Sequence, residues 1–403
     1  MLSLLFFLVC YVTSICLFLG GVADQTRPSD LEFSTFVPLA IADIVLFLIF
    51  IFIEVKFFKM KINIPVIIAL LTLFIANVAV IASTPLEKTF EYVYRDEPGS
   101  TLVSIPSEYK VMYMFCFILM LLNIYISINY LISRLQFKKH FVWICLIGVA
   151  MGGFLLIYSY VTEGETYKLF LENMGTVLRQ YNPKSLTNNT NSFAAILLGA
   201  GFCSYGLYAA TKQHIWWMVG LFFCVNVVFP MSRICLLLAI TLTLMIFAYK
   251  MIISWKGHEF RNLNLIFLVV LFLGMFAAMC YNVTEIREYI ENVVMTNDSS
   301  IDSRTPLWKL TISMTQGLHR FFGNGHGYFN TAFSTILAGE LKMPHNLYIQ
   351  TYGALGILGL IFLGLLICYA LYKIIRLFKN NREAALISII GLLTVCVYYL
   401  VEG

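Results

Sequence analysis

Ile64–Ala82 reads IPVIIALLTLFIANVAVIA, a stretch with no charged residue and one amide, Asn77. A helix crosses the hydrocarbon core of a bilayer with roughly 20 apolar residues. A surface helix of a soluble protein would set an apolar stripe against a charged face, whereas this stretch is apolar all round. It is read as a membrane span, and the pattern recurs on both sides of it. Apolar runs lie near Leu2–Leu19, Phe36–Val55, Val111–Ile132, Phe141–Val161, Phe193–Ala209, Ile215–Phe229, Ile234–Ala248, Leu263–Tyr281, Leu355–Ile374 and Ala384–Leu400. With Ile64–Ala82 they give about eleven transmembrane helices. The first run lacks the positive amino-terminal region and small-residue cleavage site of a signal peptide, so it is kept as a helix.

Composition agrees. The chain of 403 residues is 60% hydrophobic and 12% charged, with mean hydropathy +0.83, against about 25% charged residues in soluble domains. The expected fold is an all-α polytopic membrane protein, one membrane domain over residues 1–403. The net charge of +5 carries no argument for nucleic acid, because the cations have another explanation. With Met1 in the cytoplasm, the short inner loops hold Lys56, Lys59, Lys61, Arg134, Lys138, Lys139, Lys212, Lys250, Lys256, Arg261, Lys373, Arg376, Lys379 and Arg382. That is more than half of the 27 basic residues, as the positive-inside rule requires. All ten cysteines fall inside predicted spans, so the outer loops have no disulfide framework, and no Cys-His spacing points to a metal.

Three outer segments are long: Ser83–Lys110, Thr162–Ser192 and Asn282–Asn346. Any active site is therefore expected on the outer face. In the second, Tyr167, Phe170, Leu171, Met174 and Leu178 recur at helical spacing, which predicts an amphipathic helix lying on the membrane. The third, residues 282–346, is inserted between the ninth and tenth spans and is expected to hold the chemistry. Ile286, Tyr289, Ile290, Val293 and Val294 predict one helix, broken at Asn297–Ser300. A second is expected to start with Thr305 as N-cap and Pro306 in its first turn, ending at Gly323-Asn324-Gly325-His326-Gly327.

Several residues are candidates for chemistry, each with a structural reading beside it: Arg304 as a loop arginine at lipid headgroups, Arg233 as a snorkelling side chain, His345 as an interfacial hydrogen-bonding group and Asp43 as the partner of an outer arginine. Arg304, expected just before that second helix, would join a guanidinium fork to the free N–H groups of a helix start, a combination suited to phosphate. Arg233 stands in a minimal outer turn, Pro230-Met231-Ser232-Arg233. His345, in Met343-Pro344-His345-Asn346, stands where the polar segment re-enters the membrane, and imidazole can take a proton from a hydroxyl near neutral pH. The glycine-rich Gly323–Gly327 would let backbone approach a pyrophosphate or sugar, but it lacks the Lys and Ser/Thr of a P-loop. His319 and His326 have no acid spaced to orient them. Asp43, inside the second span, is a candidate for proton coupling.

Taken in order, Asn191-Ser192-Phe193-Ala194-Ala195, Ser232-Arg233, Arg304 with Leu307-Trp308, Gly323–Gly327, and His345-Asn346-Leu347-Tyr348-Ile349-Gln350 followed by Gly356 and Gly359 resemble the O-antigen ligase and polymerase superfamily. The resemblance implies a GT-C-like membrane glycosyltransferase using a polyprenyl-pyrophosphate-linked glycan as donor and a second glycan as acceptor. It is placed in the bacterial cytoplasmic membrane, with its active site on the periplasmic or extracellular side. By the same resemblance His345 is the catalytic histidine, and Arg233 and Arg304 bind pyrophosphate. Asn191, Ser232, Trp308, Gly325, His326 and Asn346 are possible substrate contacts. The implied chemistry needs no metal or cofactor, inverts the anomeric carbon and joins repeat units into O-antigen or capsule, with a chain-length regulator as a partner. A ligase passing the finished glycan to lipid A core or protein would use the same donor residues. A flippase for the same lipid-linked glycan is the alternative of another class. Ala354 stands where many members carry a glutamate.

Overall fold

The computed structural model describes residues 9–10, 13, 33–58, 60, 62–131, 138–172, 182–187, 189–230, 232–257, 300–337, 344–379 and 382–401. Among the described residues, seven helices are long and apolar enough to cross a membrane. They are α1 (Phe33–Phe58), α2 (Ile64–Ser83), α3 (Ser107–Ile126, continued by a π-helical turn at Ser127–Leu131), α4 (Lys138–Thr162), α6 (Thr190–Thr211), α12 (Leu347–Leu377) and α13 (Arg382–Val401). Between α4 and α6 lies the short helix α5 (Gly164–Glu172). The runs predicted at Ile215–Phe229 and Ile234–Ala248 form α7 (His214–Asn226) and α8 (Arg233–Gly257). Seven spans are long enough rather than eleven because α7 has 13 residues, a length of about 20 Å, because α8 counts as apolar only over Ile234–Ile246, and because two predicted spans are not covered. Leu263–Tyr281, and Leu2–Leu19 but for residues 9, 10 and 13, lie outside the described residues.

The chain divides into two compact units. The first comprises Met1–Leu135, Ser300–Tyr372 and Tyr399–Gly403. Here α2 starts at Asn63, whose side chain accepts a hydrogen bond from the Val66 N–H, with Pro65 in the first turn where no intrahelical donor is lost. Its buried residues are Leu70, Leu73, Asn77 and Ile81, spaced three and four apart on one stripe, while Ile64, Ile68, Leu71 and Ile75 are exposed as a lipid-facing side would be. The one amide of this span therefore points into protein.

The all-α expectation fails at one place among the described residues. Strands β1 (Glu87–Tyr94) and β2 (Glu97–Ser104) form an antiparallel hairpin closed by the two-residue turn Arg95-Asp96. Both turn residues have positive φ, 53° and 65°, the geometry whose twist suits a two-residue hairpin. Lys88, Phe90, Tyr92 and Tyr94 share the inward face with Val103 and Thr101, an alternation visible in the sequence and not read there. The rest of this layer is α9 (Ser300–Met314), α10 (His319–Phe322) and α11 (Tyr328–Ile336). The hairpin packs on α9, where the Val93 N–H donates to Ser313 Oγ at 3.0 Å and Lys309 pairs with Asp96 at 2.9 Å.

The second unit, Gln136–Ser299 with Lys373–Tyr398, is a helix bundle packed through small residues. A methyl at Gly152 would lie 2.4 Å from Ala200 Cβ, and one at Gly220 would lie 2.7 Å from the Tyr205 ring. Such close backbone approach is how helices associate where lipid removes the hydrophobic drive. Of the face predicted to lie on the membrane, Tyr167 and Phe170 of α5 pack inward instead, while Met174 and Leu178 lie outside the described residues. Tyr167 and Phe170 are buried against Phe229, and Tyr167 stacks on Tyr160 at 4.3 Å between ring centroids. Stacking two aromatic rings buries more apolar area than either would cover alone.

Candidate functional site

The segment from Ser300 to Asn346 differs from expectation at its first helix. α9 begins at Ser300, so Thr305 is not its N-cap and Pro306 lies inside it. Arg304 is therefore a residue of the helix, more than a turn from its start, and the pairing of a guanidinium with free N–H groups at a helix end does not form there. The proline ring removes one intrahelical hydrogen bond near the start of the helix and ends nothing. The helix expected over Ile286–Val294 lies outside the described residues.

Trp308 follows Arg304 by four residues, on the same side of α9. Its indole Nε1–H donates to the Pro344 carbonyl at 2.7 Å. That bond brings the Arg304 side of α9 to the turn that holds His345. His345 has φ +48°, a left-handed backbone that a non-glycine residue adopts at a cost of order 1–3 kcal/mol and only where its surroundings enforce it. They do so from both sides. Before it, Pro344 is buried and fixed by Trp308. After it, Asn346 is 6% exposed, and its side-chain oxygen accepts from the N–H groups of Tyr348 and Ile349 at 3.0 and 3.1 Å, capping α12. The Asn346 amide donates in turn to the Leu400 carbonyl at 2.8 Å. The imidazole of His345 is half-buried.

The glycine-rich loop approaches backbone closely, but the backbone is the protein's own. Helix α12 is interrupted at Gly356, with φ 65° and ψ −161°. The carbonyls of Gly353 and Ala354 accept instead from the N–H groups of Asn324 and Gly325, both at 2.9 Å. A methyl at Gly323 would lie 2.2 Å from the Ala354 oxygen, and one at Gly356 would lie 2.4 Å from the Phe321 carbonyl carbon. The two glycines thus let two backbones cross. The loop also reaches α2 and α3: the His326 N–H donates to Asn77 Oδ1 at 2.8 Å, Gly325 abuts Ile81, and Gly327 abuts Tyr113. Gly325 and the backbone of His326 face protein. The imidazole of His326 lies against Phe117, and burial pushes its pKa down to about 4, so the ring is neutral.

A second basic pair joins the hairpin to α10. Lys88 Nζ lies 3.0 Å from His319 Nε2, and His319 Nδ1 lies 2.8 Å from the Gly323 carbonyl. A carbonyl only accepts, so Nδ1 carries the proton and Nε2 accepts from the lysine. Burial holds both groups below their ordinary values, with the nearby lysine lowering the histidine further and the bond to Gly323 opposing the shift. Lys88 also lies over the Phe90 ring at 4.7 Å, an arrangement that offsets part of the cost of a half-buried cation.

In the second unit, Arg233 is the first residue of α8, directly after the buried Ser232, whose carbonyl accepts from the Leu236 N–H at 2.9 Å. Asn191 lies in the first turn of α6, and its N–H donates to the Asn189 cap at 2.8 Å. Asp43, on α1, accepts a hydrogen bond from Thr13 at 2.6 Å. Among the described residues, no group of three or more His, Cys, Asp or Glu side chains is placed to hold a metal ion.

Residues not singled out from sequence turn out to frame this region: Asn77, Lys88, Tyr113 and Thr315. Two carried a signal, Asn77 as a lone amide in an uncharged span and Lys88 in the alternation of the first strand. Residues 218–364 match the family model described as O-antigen ligase, and the match contains Arg233, Arg304 and His345. No curated protein and no solved structure matches the chain.

Proposed function

From the match of residues 218–364 to the family model described as O-antigen ligase, we propose that the protein is a bacterial inner-membrane glycosyltransferase. It polymerises polyprenyl-pyrophosphate-linked oligosaccharide repeat units into O-antigen or capsule. The observation that carries this reading is the turn at His345, held in a left-handed backbone by Trp308 on one side and Asn346 on the other. A residue kept in a costly conformation by dedicated hydrogen bonds marks a place where orientation matters.

In this reading the acceptor hydroxyl attacks the anomeric carbon of the donor sugar. His345 takes the hydroxyl proton, the new C–O bond forms, and the bond from the anomeric carbon to the pyrophosphate oxygen breaks. The lipid pyrophosphate leaves with the electron pair, and attack from the opposite side inverts the anomeric centre. Arg304 and Arg233 neutralise charge on the leaving group through charge-assisted hydrogen bonds, in place of a divalent metal. The amino terminus is cytoplasmic, the chemistry takes place on the periplasmic side, and a chain-length regulator is the expected partner.

A ligase would differ only in its acceptor. The test is gel analysis of polyprenyl-linked repeat units after incubation with purified protein, with EDTA present in a second arm. A ladder of lengthened glycan, persisting in EDTA, is expected. Transfer to lipid A core or protein would make the enzyme a ligase, and glycan of unchanged length that only moves between leaflets would overturn the reading in favour of a flippase.

A further inference from the structure

We infer that Asn324 is a positioning residue for His345, acting through the first part of α12. The inference rests on the catalytic role proposed for His345. The interruption at Gly356 turns Leu347–Leu355 into a short separate helix, about 13 Å long. A helix of that length does not stay formed by itself, so its attachments decide where it lies.

Both ends are attached to α9 and its extension. At the amino-terminal end, Trp308 holds the Pro344 carbonyl at 2.7 Å. At the carboxy-terminal end, Asn324 supplies two donors to the Gly353 carbonyl, its backbone N–H at 2.9 Å and its Nδ2 at 3.2 Å. Nδ2 also donates to Thr315 Oγ1 at 3.2 Å, and Thr315 Oγ1 donates back to the Thr311 carbonyl of α9 at 2.8 Å. Trp308 and Thr315 are two helical turns apart along one rod, roughly 10 Å, a separation close to the length of the helix they hold. His345 lies just outside that frame, and Asn324, 1% exposed, has no route to substrate except through it.

Two variants test this. Asn324→Ala removes the side-chain donor, and Thr315→Val removes its acceptor while keeping shape. Each is expected to lower kcat for glycan transfer by about ten- to a hundredfold, the scale of a small misplacement of a catalytic group. KM for the lipid-linked donor should stay within about twofold. Thr315→Ser, which keeps the hydroxyl, is expected to behave as wild type. A rise in KM at unchanged kcat, or equal losses in Thr315→Ser and Thr315→Val, would overturn the inference. Amide hydrogen exchange reads the link without activity: the Tyr348 and Ile349 amides, bonded to Asn346, should exchange faster in Asn324→Ala. Unchanged exchange overturns the positioning role whatever the activity. Faster exchange in a protein whose wild type transfers no glycan would sink the catalytic reading of His345 and leave the mechanical link standing.

Discussion

The loop at Gly323–Gly327 and the turn at Pro344–Asn346 belong to one polar segment and carry the same kinds of residue, yet their surroundings differ. Gly323, Asn324 and Gly325 are buried, and the N–H groups of Asn324 and Gly325 close a break in a membrane helix. His345 is half-exposed, and the hydrogen bonds around it run to its neighbours, Pro344 and Asn346. The first arrangement spends polar groups on seating the helix that starts beside His345. The second spends them on the direction of one side chain. In a chain this apolar, a polar motif must therefore be asked where its hydrogen bonds go before it is assigned a ligand.

Substitutions should separate the two regions. The largest effect is expected for His345→Asn, because asparagine tolerates the left-handed backbone and removes only the imidazole. Transfer should fall by about 10²- to 10⁴-fold with an unchanged thermal midpoint; a matching loss of stability would make the turn structural and erase the contrast. Gly323→Ala should lower stability as well as transfer. Its methyl would meet the Ala354 backbone at a φ of +74°, costing about 3 kcal/mol or more, seen as a lowered thermal midpoint in detergent. A stable Gly323→Ala protein would show that the two backbones can separate.

Acid should strike the loop next. Above pH 6.5 the His326 ring is neutral in both folded and unfolded chains and contributes nothing to pH dependence. Below it the unfolded chain takes up a proton that the buried ring, at about 4, refuses. Stability should therefore fall between pH 6.5 and about 4 by up to about 3 kcal/mol, with His319 adding in the same direction against the Lys88 cation. Thermal melts of wild type and His326→Gln across that range check it; parallel curves would show that the buried ring does not govern the loss. The smallest effect belongs to Trp308→Phe, which keeps the ring and removes one hydrogen bond. About 1 kcal/mol of stability is expected to go, with a larger fall in transfer because the bond fixes the turn at His345; equal falls would place Trp308 with the fold rather than with the turn.

The sequence was legible where one physical cause acted alone. Ile64–Ala82 and the other long apolar runs among the described residues became helices because a bilayer leaves few alternatives. The segment holding His345 was also found, since polar residues crowd there. What stayed hidden depended on partners far along the chain. Gly356 was read only as part of a family motif near the start of a span, and its broken helix exists because Asn324 and Gly325 supply the missing donors. Pro306 read as a helix start because that is where proline is usually tolerated, yet α9 runs through it. The hairpin was in view, in the alternation of Lys88, Phe90, Tyr92 and Tyr94 ahead of Arg95-Asp96, but a chain dominated by apolar helices drew attention away from a period of two.

The break at Gly356 also bears on how the chain is made. Two carbonyls inside a span without donors would cost several kcal/mol each in lipid, so α12 is a poor insert on its own. Residues 324 and 325 precede it, as do α2 and α3, to which their loop is tied. A chain emerging from the ribosome therefore presents the donors before the acceptors, and the interrupted helix enters the membrane with the groups it needs already synthesised.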